Sequence, residues 1–188
     1  LIGGETAEMP NTYESGRHDI VGSIVGIVDK NEIINGKKNV KAGDVMVSLQ
    51  SSGPHTNGFS LIRKIYNRNK SKFTPEMIEN LSKPHRSYLY EYSKILEEDV
   101  NIHGMAHITG GGLLENIRRT VPDNLIVNIT DLEYSTIFKQ IQEIGNIPSK
   151  EMERVFNCGV GMVFIVEEKD AKIICGLFDD AKIIGNII

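Results

Sequence analysis

The sequence predicts an α/β (α+β) domain in which helices cover a mixed β-sheet. Short apolar runs typical of strands alternate along the chain with segments whose apolar residues recur at helical spacing. The size agrees, because 188 residues with 40% hydrophobic and 24% charged side chains suit one globular core. No repeat, low-complexity tract or Pro/Ser-rich linker interrupts the pattern, so we expect a single domain over residues 1–188.

Short runs rich in Val, Ile and Phe indicate the strands. The first run, residues 20–28, suits a buried strand and is closed by the polar turn Asp29-Lys30-Asn31. Further strands are predicted at residues 45–49, 102–108, 125–129, 160–166 and 182–188. The run at 160–166 is interpreted as a central strand.

Apolar residues three and four positions apart mark the helices. One helix carries Phe59, Ile62 and Tyr66, and Thr56 or Asn57 is available as its N-cap. Other helices are predicted at residues 88–98, at 113–121, around Ile137, Phe138, Ile141 and Ile144, and at 171–178.

The charge and cysteine content argue against several classes of protein. Lys and Arg number 21 against 25 Asp and Glu, and no basic stripe stands out, so no nucleic-acid partner is expected. The longest apolar run, at 162–166, is far shorter than the roughly 20 residues that span a bilayer, so no membrane partner is expected either. Without a recognisable secretory signal, Cys158 and Cys175 are predicted to be reduced thiols of a cytoplasmic protein.

The glycines gather where predicted strands end. Residues 51–58, Ser-Ser-Gly-Pro-His-Thr-Asn-Gly, and residues 109–112, Thr-Gly-Gly-Gly, each join a strand to a helix. Backbone N–H groups of such turns can approach an anion, although ordinary tight turns are the alternative. No P-loop and no G-x-G-x-x-G fingerprint occurs, which argues against P-loop kinases and Rossmann oxidoreductases.

Two histidines four residues apart, His103 and His107, lie on one face of either a helix or a strand. A shared metal ion is one interpretation, but no Glu, Cys or Asp stands nearby at ligand spacing. His107 precedes the triple glycine, so contact with substrate or proton transfer is favoured for it. For His103 a packed or hydrogen-bonded role is favoured.

Other charged residues are candidates for binding phosphate or metal. Glu5, Glu8 and Asp19 bracket the N-terminal segment, where carboxylates beside a phosphate site would serve as Mg²⁺ ligands or orienting bases. Simple solvent exposure is the alternative for all three. Arg86 can fork onto a phosphate or a carboxylate, or be an ordinary surface arginine.

Four motifs together resemble one enzyme family. They are Gly-Gly-Glu-Thr-Ala-Glu-Met-Pro at 3–10, the loop at 51–58, His-Ile-Thr-Gly-Gly-Gly at 107–112, and Phe-Asn-Cys-Gly-Val-Gly-Met at 156–162. In this order and spacing they are similar to the aminoimidazole ribonucleotide (AIR) synthetases, also called phosphoribosylformylglycinamidine cyclo-ligases. Residues 84–88 and 115–117 also fit, whereas Arg118 replaces an expected proline and Asn11 a usual glycine.

The resemblance implies an ATP-dependent ring closure in purine biosynthesis. In this family ATP, with Mg²⁺, activates the formyl oxygen of formylglycinamidine ribonucleotide, and an internal nitrogen then closes the imidazole ring. The resemblance covers the C-terminal domain only, so residues 1–12 would be the junction to an N-terminal domain that holds most of the ATP site and the homodimer interface. The isolated chain is therefore expected to have the family's C-terminal-domain fold without turning over.

The resemblance also suggests roles for individual residues. His107 and His55 are the candidates for proton handling. Glu5, Glu8 and Asp19 are candidates for the domain junction or the Mg²⁺ environment, with no metal ligand assigned. Substrate or phosphate contacts are expected from Ser51, Ser52, Gly53, Asn57, Arg86, Thr109, Gly110, Gly111 and Gly112.

Two other functions remain open from the sequence. A domain of a related enzyme of the same superfamily is one, the candidates being formylglycinamidine ribonucleotide synthetase, selenophosphate synthetase, thiamine-phosphate kinase and a hydrogenase maturation protein. A stand-alone, non-catalytic binding module is the other.

Overall fold

The first unit of the chain has almost no regular structure. The computed structural model describes residues 1–188 as two units, Leu1–Ile33 and Ile34–Ile188. In the first unit a 3-10 turn at Lys30–Glu32 is the one helical segment. The strand predicted at 20–28 is wrong: these residues pair with no strand, and Ile27 is fully exposed (102%). The apolar run indicated burial, but a strand also needs a neighbour for its backbone hydrogen bonds, and this unit provides none.

A five-stranded sheet lies at the centre of the second unit. Its strands are β1 (Val45–Gln50), β2 (Gly104–His107), β3 (Val127–Ile129), β4 (Val160–Val166) and β5 (Lys182–Ile187). Their order is β2-β4-β1-β5-β3, and every neighbouring pair is antiparallel. The α/β (α+β) class is confirmed, but the mixed sheet is wrong. β1 and β2 do run in the same direction, yet β4 lies between them.

The helices of the second unit follow most of the predicted segments. They are α1 (Gly36–Asn39), α2 (Phe59–Arg68), α3 (Pro75–Leu81), α4 (Leu89–Glu97), α5 (Gly112–Arg118), α6 (Thr136–Gly145), α7 (Ser149–Val155) and α8 (Glu168–Leu177). A 3-10 turn at Lys70–Lys72 separates α2 from α3. The short helices α1, α3 and α7 were not predicted.

Capping explains how two helices begin. At the start of α3, Thr74 is the N-cap: its Oγ1 accepts the N–H of Met77 at 3.2 Å, and Pro75 occupies the first turn. The start of α2 corrects the expectation: its N-cap is Gly58, at φ 78°, and not Thr56 or Asn57. Thr56 itself has a left-handed backbone (φ 64°), which differs from the extended conformation of a side-chain N-cap.

Apolar side chains are buried on both faces of the sheet. Leu49 of β1 shares a buried cluster with Ile95 of α4 and Ile174 of α8. Met46 belongs to a cluster with Ile117 of α5. A third cluster joins α2, α3, α6 and α7. Burial on both faces explains why β1 and β4 read as continuous apolar runs rather than alternating ones.

The strand directions bring three separate loops to one edge of the sheet. Gln50, the last residue of β1, pairs with Val160, the first residue of β4. His107, the last residue of β2, pairs with Met162 near the start of β4. The chain after β1, the chain after β2 and the chain before β4 therefore meet at this edge, which is where the Gly-rich motifs lie.

Two expectations about the class of protein can be compared with the structure. None of the helices has the length and apolar character needed to cross a bilayer. Cys158 and Cys175 are both free thiols, as predicted. Burial raises the pKa of the Cys158 thiol to about 12, which keeps it protonated and unreactive at neutral pH.

Candidate active site

A buried asparagine joins the loop after β1 to the segment before β4. Asn157 Nδ2 donates to the Gly53 carbonyl at 2.8 Å, and its Oδ1 accepts from Ser51 Oγ at 3.2 Å and from the Gly159 N–H at 2.9 Å. The side chain is only 2% exposed, so these bonds have no water to replace them. Asn157 therefore fixes the positions of Ser51 and Gly53, two of the predicted binding residues.

A second set of bonds brings residues 84–86 to the same loop. Ser52 Oγ donates to the Pro84 carbonyl at 2.6 Å and accepts the Arg86 N–H at 3.1 Å. Thr56 Oγ1 lies 2.6 Å from His85 Nε2. The hydroxyls of the loop are thus used to hold the neighbouring segment in place.

Asn116 gives the triple-glycine turn its shape. Its Nδ2 donates to the carbonyls of Gly112 at 2.7 Å, Gly110 at 3.2 Å and Thr109 at 3.3 Å. Its Oδ1 accepts from Thr109 Oγ1 at 3.2 Å. The turn therefore depends on one buried amide of α5 that reaches back over it.

Glycine is required in this turn for reasons of space. Gly112 has φ 74°, and a Cβ there would lie 1.8 Å from the carbonyl oxygen of Glu153. A Cβ on Gly110 would lie 3.1 Å from Asn57 Oδ1, which shows that the two Gly-rich loops abut. The structure therefore brings together the two loops that the sequence predicted as binding elements.

Three histidines gather where these loops meet. His55 comes from the loop after β1, His107 ends β2, and His85 belongs to the segment before α4. The His55 and His85 rings stack with centroids 4.7 Å apart, and the His107 centroid lies 5.8 Å from that of His55 and 6.2 Å from that of His85. One ring nitrogen of each lies within 4.8 Å of those of the other two.

His55 is neutral, accepts one hydrogen bond and has an unused donor. Its Nε2 accepts the N–H of Ser52 at 3.2 Å, so the ring proton of the neutral form is on Nδ1. This Nδ1 is buried without a partner. Burial, with smaller contributions from the nearby His85, His107 and Arg86, lowers the pKa of His55 from 6.5 to about 4. The ring is therefore uncharged at neutral pH.

His107 is more exposed and faces an open groove. Burial, and then the charge of His85, lower its pKa below the ordinary value, so it too is neutral near pH 7. The groove has a volume of about 370 Å³. Its walls are Arg86, Tyr88, Leu89, Tyr92, Met105, His107 and Met162. A neutral imidazole at the wall of an open groove is able to accept a proton from a bound molecule.

Arg86 uses its guanidinium inside the protein. Its Nε donates to Glu91 Oε1 at 3.2 Å, its Nη1 pairs with Asp180, and the guanidinium carbon lies 5.1 Å from the Tyr88 ring centroid. The hydrogen bond to Asp180, and that to Glu91, raise the pKa of Arg86 further above its ordinary value. The sequence allowed a phosphate or a carboxylate as the partner of Arg86, and in the structure the partners are the carboxylates of Glu91 and Asp180. Arg86 therefore orders the wall of the groove, and these carboxylates already occupy N–H donors of its guanidinium.

The remaining predicted residues with charged or imidazole side chains are not members of the histidine cluster. His103 is 5% exposed and its Nδ1 lies 2.8 Å from Asp44 Oδ2, which agrees with the hydrogen-bonded role favoured for it. Its spacing from His107 therefore does not make a shared metal site. Glu5, Glu8 and Asp19 belong to the first unit and are exposed; Asp19 accepts a hydrogen bond from the Tyr13 hydroxyl at 2.9 Å.

Three residues of the site were not among those predicted. His85 stood in a segment that supported the family resemblance, but nothing in its spacing placed it beside His55. Asn116 and Asn157 also stood within quoted motifs. Asn116 and Asn157 could have been predicted as positioning residues, because an Asn next to a Gly-rich turn often forms hydrogen bonds with the backbone of that turn.

Comparisons with known proteins agree with the motifs. Residues 41–188 match the family described as "AIR synthase related protein, C-terminal domain". The chain is 48% identical over 177 residues to a protein of Finegoldia magna named phosphoribosylformylglycinamidine cyclo-ligase. This alignment covers 90% of the chain and 51% of the relative, so the chain spans about half the length of the curated relative it matches. The chain therefore belongs to the AIR synthase related family and contains its C-terminal domain.

Proposed function

We propose that this chain is the C-terminal domain of an ATP-dependent cyclo-ligase that converts formylglycinamidine ribonucleotide into aminoimidazole ribonucleotide. The observation that carries the proposal is that His55, within one Gly-rich loop, and His107, directly before the other, lie side by side at one sheet edge where the loops abut. A chain 48% identical to a named cyclo-ligase supports the choice of reaction. The proposed small-molecule substrate would lie in the groove beside His107.

The two histidines have different proposed roles. Ring closure joins the internal nitrogen to the activated formyl carbon, releases phosphate, and requires that nitrogen to lose a proton. His107, neutral and at the groove wall, is the base that accepts this proton. His55, whose Nδ1–H has no partner, would donate to an oxygen of the substrate or the leaving phosphate once binding opens its ring, which is 1% exposed, to that oxygen.

The loops supply orientation in this proposal. The backbone of residues 109–112 and the residues of the 51–58 loop would hold the substrate or the leaving phosphate. Asn116 and Asn157 act only through these loops, as positioning residues. Preorganised loops lower the barrier because their ordering does not have to accompany the reaction.

The histidine cluster of the second unit does not fit the Mg²⁺ that the family uses. The cluster able to hold an ion consists of three imidazoles, whereas Mg²⁺ requires oxygen ligands in octahedral geometry. We therefore assign no step through Mg²⁺ to these residues. The rest of the enzyme, an N-terminal domain, would hold ATP and Mg²⁺ and form the homodimer.

The first unit would contribute to the junction with that domain. The apolar side chains exposed at residues 20–28 support this role, because they offer a strand-like segment to a partner outside the chain. Glu5 and Glu8, within the proposed junction at residues 1–12, stay candidates for the junction or the Mg²⁺ environment, and so does Asp19. A cytoplasmic location is part of the same proposal.

The test uses the full-length enzyme that contains this chain. The His107→Ala change should lower the rate of AIR formation by about 100-fold or more, as expected for loss of a general base. Thermal unfolding should shift little, because the side chain is exposed. Lys64→Ala, an exposed change in α2, is the control and should keep wild-type kinetics. Unchanged kinetics in His107→Ala would remove His107 from the mechanism.

The 188-residue chain alone provides a second test. It should form no AIR from formylglycinamidine ribonucleotide and ATP, because the proposal places ATP on the other half of the enzyme. Product formation by the isolated chain would contradict this division of labour. Full-length enzyme that turned over another substrate of the superfamily instead would contradict the assignment of the reaction.

A further inference from the structure

We infer that His55, His85 and His107 form a binding site for a divalent transition-metal ion of the zinc class. One nitrogen of each ring lies within 4.8 Å of the other two. Tetrahedral Zn²⁺ with bonds of about 2.0–2.1 Å needs its nitrogen ligands roughly 3.4 Å apart. Because 4.8 Å is the upper limit of the present separations, the ring nitrogens have to close by no more than about 1.4 Å. His85 and His107 are exposed, so their side chains are free to make this movement.

The hydrogen bonds of His85 fit a metal ligand. His85 Nε2 lies 2.6 Å from Thr56 Oγ1. When this hydroxyl accepts the Nε2–H, the lone pair of the neutral ring is on Nδ1 and is available to an ion. Metal-ligating histidines usually have such an oxygen partner on their other nitrogen, which fixes the tautomer and the ring orientation.

His55 provides the second, independent observation. The residue is 1% exposed, and its Nδ1 is buried without a partner, so the ring has unmet bonding capacity. Coordination through Nδ1 moves the ring proton to Nε2, which then gives up the bond from the Ser52 N–H. The Ser52 N–H and the His55 Nε2–H would then be two donors facing each other at 3.2 Å, so the Ser52 N–H has to turn away. The cost is of the order of one buried hydrogen bond, which the free energy of binding a zinc-class ion exceeds.

The donor set selects the class of ion. Three neutral imidazoles suit Zn²⁺, Co²⁺, Ni²⁺ or Cu²⁺ and are poor ligands for Mg²⁺ or Ca²⁺. With three protein ligands and exposed rings on one side, the fourth position of a tetrahedral ion stays open to water or another ligand.

The test is Zn²⁺ binding by the metal-free chain. Protein treated with EDTA and then freed of it is titrated with Zn²⁺ in competition with a chromogenic chelator, and Co²⁺ absorption in the visible range reports the geometry. We expect one ion per chain, with Co²⁺ bands of tetrahedral intensity. The His85→Ala variant should lose at least about 100-fold in affinity, more than is lost when only an outer hydrogen-bond partner is removed.

Controls separate this site from other ligands of the chain. His18→Ala removes an exposed histidine of the first unit, and Cys175→Ser removes the more accessible thiol. Both variants should bind Zn²⁺ as the wild type does. Loss of binding in either would move the ion to another residue and overturn the proposal.

The metal-bound form is a different state from the one in the proposed reaction, because the ion would take the His107 lone pair and the His55 Nδ1 that the reaction uses. The two proposals are therefore tested by separate measurements. Circular dichroism checks that His85→Ala is folded, and His107→Ala repeats the measurement if it is not. No competition by the wild type at micromolar Zn²⁺, or wild-type affinity in a folded variant lacking one of these histidines, would overturn the proposal. Failure of the proposed function would show instead as unchanged AIR formation in His107→Ala.

Discussion

The asparagine that joins two loops of the site allows a quantitative prediction. In Asn157→Ala the chain loses hydrogen bonds of 2.8, 2.9 and 3.2 Å to Gly53, Gly159 and Ser51. Each contributes about 1 kcal/mol, and the Gly53 carbonyl and Gly159 N–H are left without these bonds in a buried place. We therefore expect the free energy of unfolding to fall by about 3 kcal/mol.

Urea denaturation followed by far-ultraviolet circular dichroism measures this loss. The denaturant dependence of the unfolding free energy should stay unchanged, because the surface exposed on unfolding is nearly the same. Asn67→Ala, at an exposed position in α2, is the matched control and should change the free energy by no more than about 0.5 kcal/mol. A loss below about 1 kcal/mol in Asn157→Ala would show that the three bonds do not hold the loops as argued.

Three further predictions concern the second unit. Gly112→Ala should lower the free energy of unfolding by about 2 kcal/mol or more, since φ is 74° and the new Cβ would lie 1.8 Å from a carbonyl oxygen of α7. The control is Gly176→Ala, in open space on α8, which should not destabilise the protein. Equal losses for the two variants in urea denaturation would contradict the steric argument. His103→Ala should lower the free energy of unfolding by about 2 kcal/mol in the same assay, because it removes the hydrogen bond that His103 Nδ1 donates to the buried Asp44 carboxylate. Wild-type stability would show that this bond contributes nothing. In the presence of EDTA, acidification from pH 7 to 4.5 should lower the free energy of unfolding of the wild type by about 2–3 kcal/mol more than it lowers that of the His55→Asn variant. The unfolded chain takes up this proton near pH 6.5, whereas the folded chain resists it until about pH 4, so the stability is present at neutral pH and is lost on acidification. Parallel pH profiles would refute the last prediction.

The sequence was sufficient to predict the strands and helices whose apolar pattern is local. β1 and β4 were predicted because burial on both faces produces continuous apolar runs, and α6 because its apolar residues recur with helical period. Residues 20–28 carried the same apolar signal and form no strand. Such a run indicates that burial is favourable, but it does not say whether a pairing strand is present in the chain.

The site was predictable only where motifs were contiguous. The two Gly-rich loops, His55 and His107 were named from the sequence, and the structure brings them together. His85 could not be placed, because its distance from His55 depends on bonds between Ser52 and residues 84–86. The separate roles favoured for His103 and His107 agree with the structure, since one ring is buried on Asp44 and the other faces a groove.

The meeting of three strand ends at one sheet edge also constrains how the protein folds. The edge consists of Gln50, His107 and Val160, which are far apart in the chain. Each pairing therefore requires the closure of a long loop, which is entropically costly and slow. No early intermediate built from local helices can contain the histidine cluster. A spectroscopic probe bound there, such as Co²⁺, would appear during refolding only with the slowest phase of sheet formation.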